Sequence, residues 1–318
     1  MNVSHWRGVL LCLVATVSWG GMFPVMTDAL TRMDPYTFTS LRYGIAGAAF
    51  AIALVIAEGW RGLSLKGERG LLARALGTIG FVGFGYFVFL GQKLAGPSGA
   101  LNASVMMATM PMLGVLVNCA LGKATPTAAS FLFILISFGG VASVITKGDF
   151  SALVLHPQNY SASLLIVIGA LCWVLYTIGP AFFPAWSPYR YTAITSVLGV
   201  ISLFVLNAIF LAAHVVSLPS SEDLIFVVPH LAYMAIVAGF IAVLCWNFGN
   251  KILTPQIGVL FQDVVPVTSF IVSTLQGIVP AEPQIVGAAI TGSALILNNL
   301  YLRRMKRAEM PPHEDLSS

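Results

Sequence analysis

Uninterrupted apolar runs recur along this chain, each close to the roughly 20 residues that cross a 30 Å hydrocarbon layer as a helix. No other feature restricts the fold as strongly. Ten runs follow one another, at approximately 8–28, 36–57, 72–92, 98–121, 127–146, 161–183, 189–213, 229–250, 255–276 and 283–302. They leave no stretch long enough for a soluble domain. With 58% hydrophobic and 9% charged residues, the chain cannot cover its outside with polar groups as a water-soluble domain does. Strands of a membrane barrel alternate apolar and polar residues over short segments, whereas these runs are continuous. An all-α integral membrane protein with ten transmembrane helices is expected.

Basic residues divide unevenly between the connecting segments. With a cytoplasmic N-terminus, twelve Lys and Arg fall inside, only Arg32, Lys93 and Lys147 fall outside, and Arg42 remains within the second run. That bias follows the positive-inside rule and puts both termini in the cytoplasm. The net charge of +4 then reflects orientation in a lipid bilayer and calls for no nucleic-acid partner. The RRMKR run, Arg303 to Arg307, reads as a stop-transfer anchor at the head of a basic, disordered cytoplasmic tail, residues 303–318. Cys12, Cys119, Cys172 and Cys245 lie within runs and show no CxxC or His-paired spacing, so neither a disulfide framework nor a metal site is expected. The chain has no GxxxxGK[ST] phosphate cradle, and no cofactor is implied. Nor does it contain HExxH or GxSxG, which argues against an intramembrane enzyme; without a filter-like segment or charged ring, a channel is also disfavoured.

The two halves resemble each other. DPYTFT (Asp34 to Thr39) matches SPYRYT (Ser187 to Thr192), and LGQKLAGP (Leu90 to Pro97) matches FGNKILTP (Phe248 to Pro255). Trp19 aligns with Trp173, and Pro111 with Pro266. A duplicated five-helix unit follows, residues 1–150 and 151–302. Because five is odd, the second copy enters the membrane from the opposite side. Two inverted repeats around a central cavity are a recurrent design of alternating-access transporters.

Ten runs, the 5+5 repeat, the early tryptophan, the mid-helix prolines and the closing pattern of Pro280, Pro283, Gly287 and Gly292 resemble the drug/metabolite transporter superfamily, EamA-type. Trp246 to Gly249 (W-N-x-G), followed by a mid-helix proline, together with Tyr86, is similar to the YddG-type aromatic amino acid exporters. The resemblance implies a basket-like bundle whose cavity is lined by runs one to four and six to nine, with five and ten peripheral. It also implies secondary or facilitative transport of a small-molecule substrate across a bacterial inner membrane, with export of aromatic or other hydrophobic amino acids expected and hydrophobic or cationic drugs as the alternative. The chain departs from the pattern in two places: GKATP (Gly122 to Pro126) lacks the glutamate that often follows run four, and Met110 precedes Pro111 where the YddG type has an aromatic residue.

Within the ninth run, Gln262, Pro266, Ser269, Ser273 and Gln276 recur at steps of four and three, so they share a helix face with Asp263 on its shoulder. Such a stripe should face the bundle interior. A carboxylate there costs several kcal/mol, so Asp263 either binds a substrate ammonium or coupling proton, or pairs structurally with a donor. Arg42 is expected about 9 Å deep, either snorkelling to the interface or reaching toward Asp263. Trp173, Tyr176, Thr177 and Pro180 share another face, suited to a flat apolar ligand with a polar end or simply to packing. Trp19, Tyr86, Asn102, Trp246 and Asn247 complete the candidate cavity, the buried amides serving equally well as interhelical ties. Pro111 and Pro266 are candidate hinges or kinks.

Overall fold

A computed structural model describes residues 3–122, 127–151, 160–253, 261, 262 and 264–309. Its helices are α1 (Val3–Ala29), α2 (Pro35–Glu58), α3 (Gly70–Leu94), α4 (Gly99–Ala108), α5 (Met110–Ala120), α6 (Ala128–Thr146), α7 (Ser161–Ile178), α8 (Pro188–Ala212), α9 (Ser221–Leu253), α10 (Val264–Leu275) and α11 (Glu282–Glu309). Among the described residues, eight helices are long and apolar enough to span a membrane, and α4 with α5 makes a ninth if that bent pair is one crossing. Large apolar side chains such as Ile56, Leu71, Ile225 and Leu275 stand exposed on the outside of the bundle. In water that surface would be a liability; against lipid it is ordinary.

The repeated DPYTFT and SPYRYT segments are one device used twice. Asp34 accepts hydrogen bonds from the Tyr36 and Thr37 amides at 2.9 and 2.8 Å, Ser187 accepts from the Arg190 amide at 3.0 Å, and proline follows each cap at the first helical position. The cap supplies an acceptor for free amides, and proline has no amide to satisfy. Both α2 and α8 therefore start sharply.

Contacts between the halves dominate the packing. Helix α1 lies on α9 and α10, α7 on α3, α8 on α2 and α3, and α6 on α11. Close approach depends on glycine. A Cβ on Gly249 would lie 2.6 Å from Cys12 Sγ, and one on Gly140 would lie 2.6 Å from the Gly287 carbonyl. Small residues bring helix backbones together where lipid supplies no hydrophobic drive.

Three stretches depart from the sequence expectation. The fourth run is not one helix: it bends by 45° at Thr109, where the Thr109 hydroxyl and amide both bond the Met106 carbonyl and Pro111 cannot donate to the turn below. In the ninth run the described helix is α10 alone, and Asp263 lies outside the described residues. Helix α11 continues to Glu309, through the basic run where an unstructured tail is expected; a run rich in Arg, Lys, Leu and Met has good helix propensity.

Candidate functional site

Among the described residues, two helices carry a π-helical segment in mid-course, Thr78–Gly83 in α3 and Tyr233–Ile241 in α9. Such segments widen the turn and disturb the regular ladder, and they frequently mark functional positions. Side chains from other helices bond the carbonyls of the second one. Trp19 Nε1 donates to the Ala238 carbonyl at 3.0 Å, and Arg42 Nε to the Met234 carbonyl at 3.0 Å, one turn away.

Around these segments the structure gathers several of the predicted residues. The Trp19 ring lies 5.3 Å from that of Trp246. Trp173 packs against Phe84 and Tyr176, each with centroids 5.1 Å away, and more loosely against Phe81 at 6.5 Å. Tyr176 is buried, its hydroxyl 3.3 Å from Thr195 Oγ1. Trp19, Trp173, Trp246 and Asn247 are half-buried. Helix α10 turns Pro266, Ser269 and Ser273 inward as its spacing predicts, with Gln262 half-buried and Gln276 exposed at the far end. Ser269 Oγ bonds the Ala100 carbonyl at 3.4 Å, while Ser273 Oγ has no partner among the described residues.

Other candidates sit elsewhere. Tyr86 donates to the Leu203 carbonyl at 3.2 Å, tying α3 to α8. Asn102 Oδ1 accepts from Gln284 Nε2 at 3.4 Å and so faces α11. Thr177 and Pro180 are exposed, so the four-residue face of α7 divides: two aromatics point inward and two small residues outward. Pro111 is half-buried at the bend between α4 and α5. Among the described residues, two cavities lie on the periphery. One, of about 360 Å³, is lined by Phe133, Ile136, Val286 and Ile290 among others; the second is formed by Leu211 to Leu218.

The residue whose surroundings differ most from the sequence expectation is Arg42. Snorkelling is one of its two expectations, yet the residue is 3% exposed and is the only charged one buried among the described residues; the other, a reach toward Asp263, falls on a residue outside them. Its guanidinium lies over the rings of Tyr43 at 4.8 Å and Phe89 at 5.4 Å, with Nη2 3.2 Å from Met22 Sδ. Nη1 is left without a hydrogen-bond partner among the described residues.

Comparison with known proteins agrees with this architecture. The sequence model described as "EamA-like transporter family" matches twice, over residues 6–146 and 160–300. The chain is 36% identical to the uncharacterized transporter YrdR of Bacillus subtilis (strain 168), covering 93% of this chain and 92% of the relative. It is 28% identical to the uncharacterized transporter YyaM of the same organism, over 91% and 92%. An uncharacterized transporter of Archaeoglobus fulgidus is 25% identical, over 95% and 99%. One solved crystal structure superimposes with a TM-score of 0.63 at 21% identity, covering 94% of this chain and 98% of that one, a likeness of fold alone.

Proposed function

From the premise that this chain belongs to the EamA-like transporter family, and is thus a membrane transporter, we propose that it is an alternating-access carrier. Its substrates are small metabolites, in the first place aromatic or other hydrophobic amino acids, which it exports across the plasma membrane. Two inverted five-helix units, residues 1–150 and 151–302, form its halves, with both termini cytoplasmic.

One observation carries this reading: contacts between the halves occur in pairs that exchange under the repeat. Align Trp19 with Trp173, and Gly91 with Gly249. A Cβ on Gly249 meets the Gly8 carbonyl and, at 3.2 Å, the Cys12 amide nitrogen; one on Gly91 meets the Ala162 carbonyl and, at 3.2 Å, the Ile166 amide nitrogen. Those are equivalent positions. Trp19 lies against the π segment of the second half, and Trp173 against Phe81 in that of the first. Matched interfaces of this kind would let the halves exchange roles, the relation on which alternating access by inverted repeats is built.

Substrate would meet Trp19, Trp246, Trp173 and Gln262, with Asn247 and Asp263 nearby in sequence. Tyr86 and Asn102 act as ties between helices, and Pro111 and Pro266 as kinks. Few charges and many rings suit a zwitterion with a flat apolar body.

Counterflow of labelled L-phenylalanine and L-leucine in proteoliposomes tests the proposal. Saturable uptake, accelerated by unlabelled amino acid inside, is expected. Flux that grows linearly without such acceleration would mark a channel, and competition by a cationic drug but by no amino acid would replace the substrate class.

A further inference from the structure

We propose that Arg42 is an anion-binding residue, and that the solute this transporter carries bears a single carboxylate that docks on Arg42 Nη1. The inference rests on the carrier reading for its role in transport, but the binding site itself can be tested apart from it.

A buried, unpaired guanidinium is costly, because the desolvation of the charge is repaid only by a matched anion and a full set of hydrogen bonds. Arg42 has neither within the described chain. Nε is satisfied by the Met234 carbonyl, Nη2 has only the thioether of Met22, and Nη1 is without a partner. Two aromatic faces, Tyr43 and Phe89, hold the guanidinium plane without neutralising it. The side chain is thus oriented by four groups, while Nη1 keeps both of its N–H donors without a partner among the described residues.

The equivalent position in the other half of the chain carries no charge. Aligning DPYTFT with SPYRYT puts Thr195 at the position equivalent to Arg42. Thr195 makes a neutral local arrangement, bonding the Tyr191 carbonyl at 2.6 Å and lying beside the Tyr176 hydroxyl. One half of the bundle therefore packs this position with a hydroxyl, and the other spends a buried cation on it. That asymmetry fits a directional ligand better than a scaffold element.

The surroundings also limit what binds. A single cation matches a single negative charge, and a carboxylate is the compact planar anion that accepts from guanidinium N–H groups. Trp19 bonds the same π segment one turn from Met234 and lies 5.3 Å from Trp246, so two indole rings stand on the segment that holds Arg42. An isolated phosphate dianion would be left half-neutralised.

The test compares an acid with its amide. Purified protein in detergent is titrated with 3-phenylpropionate and with 3-phenylpropionamide, following intrinsic tryptophan fluorescence. The acid is expected to bind roughly tenfold or more tightly, the scale of one charge-assisted hydrogen bond pair in a dry site. Arg42→Gln should bring the two affinities together, and Arg42→Lys should keep part of the preference. Equal binding of acid and amide by the unaltered protein overturns the proposal without any variant having to fold, as does binding of neither. A preference retained in a monodisperse Arg42→Gln protein overturns it too. If the preference follows Arg42 but no counterflow occurs in proteoliposomes, the anion site stands and the carrier reading falls.

Discussion

Gly140 and Gly139 are neighbours in α6 and should respond to alanine with opposite signs. A methyl group at Gly140 would lie 2.6 Å from the Gly287 carbonyl and 2.9 Å from the Thr291 amide nitrogen, both backbone atoms of α11 that cannot swing aside. Gly140→Ala must push the two helices apart and should cost about 1–3 kcal/mol, as overpacking does. Gly139 has nothing within 4 Å of the same added atom, so there alanine only removes glycine's backbone freedom and should stabilise by up to about 1 kcal/mol. Thermal unfolding of the two variants in detergent checks both signs; the same shift in each would mean that α6 and α11 do not pack through Gly140. Which of two adjacent glycines mattered was not legible from the sequence, because both sit in an apolar run and only the neighbouring helix distinguishes them. Arg42 illustrates the same limit. Its depth from the helix end was close to right, but snorkelling assumes a route to the interface, and Met22, Phe89 and the carbonyl of Met234 close around the side chain.

At the scale of the helix, the signals that carried through were those with a chemical cause in the residue itself. Pro111 lacks an amide, and the crossing bends beside it. Asp34 and Ser187 supply acceptors, and α2 and α8 begin immediately after them. The π segments had no such signature. TIGFVG and YMAIVAGFI contain no proline and read as ordinary helix; what accompanies the altered register is tertiary, with Trp19 and Arg42 reaching the carbonyls of one segment and Tyr176 filling the space beside Gly80 in the other. Span-nine chemistry is legible in part: its small polar stripe faces inward, while Asp263 lies outside the described residues. If the bend between α4 and α5 serves transport, Pro111→Ala should supply the missing amide, straighten the crossing and slow counterflow several-fold, while leaving yield and monodispersity unchanged, since Pro111 sits in the first turn of α5, where proline costs a helix little. Unchanged counterflow in a well-folded variant would reduce the bend to a packing detail.

Across the whole molecule, sidedness can be argued from contacts that do not depend on counting apolar runs. Gln92 donates to the Phe23 carbonyl at 2.6 Å and to Thr27 Oγ1 at 2.7 Å, which holds Lys93 at the C-terminal end of α1. Gly249 lies on Gly8 and Cys12, which holds Lys251 at its N-terminal end. Between Gly8 and Thr27 the helix rises roughly 28 Å, about the thickness of the hydrocarbon layer. Other cross-links fall into the same two groups. His230 Nε2 meets Asp28 at 2.8 Å and Arg32 approaches Asp223 at 3.9 Å near one end, whereas Arg190 bonds Glu68 at 3.1 Å and the Gly62 carbonyl at 3.0 Å near the other. Segments that charge and parity assign to one face are thus brought together in space. What charge could not reveal is how closely the halves exchange contacts, because that is written in glycines whose partners lie more than a hundred residues away. Lys93 and Lys251 occupy matching places in the two repeats and are both exposed. In a background with the four native cysteines changed to alanine, Lys93→Cys should react with a membrane-impermeant maleimide only from outside intact cells, and Lys251→Cys only after the cytoplasmic face is opened. Labelling of both from one side would require one of the two α1 contacts to be absent in the membrane, and with it the inverted relation between the repeats on which the carrier proposal depends.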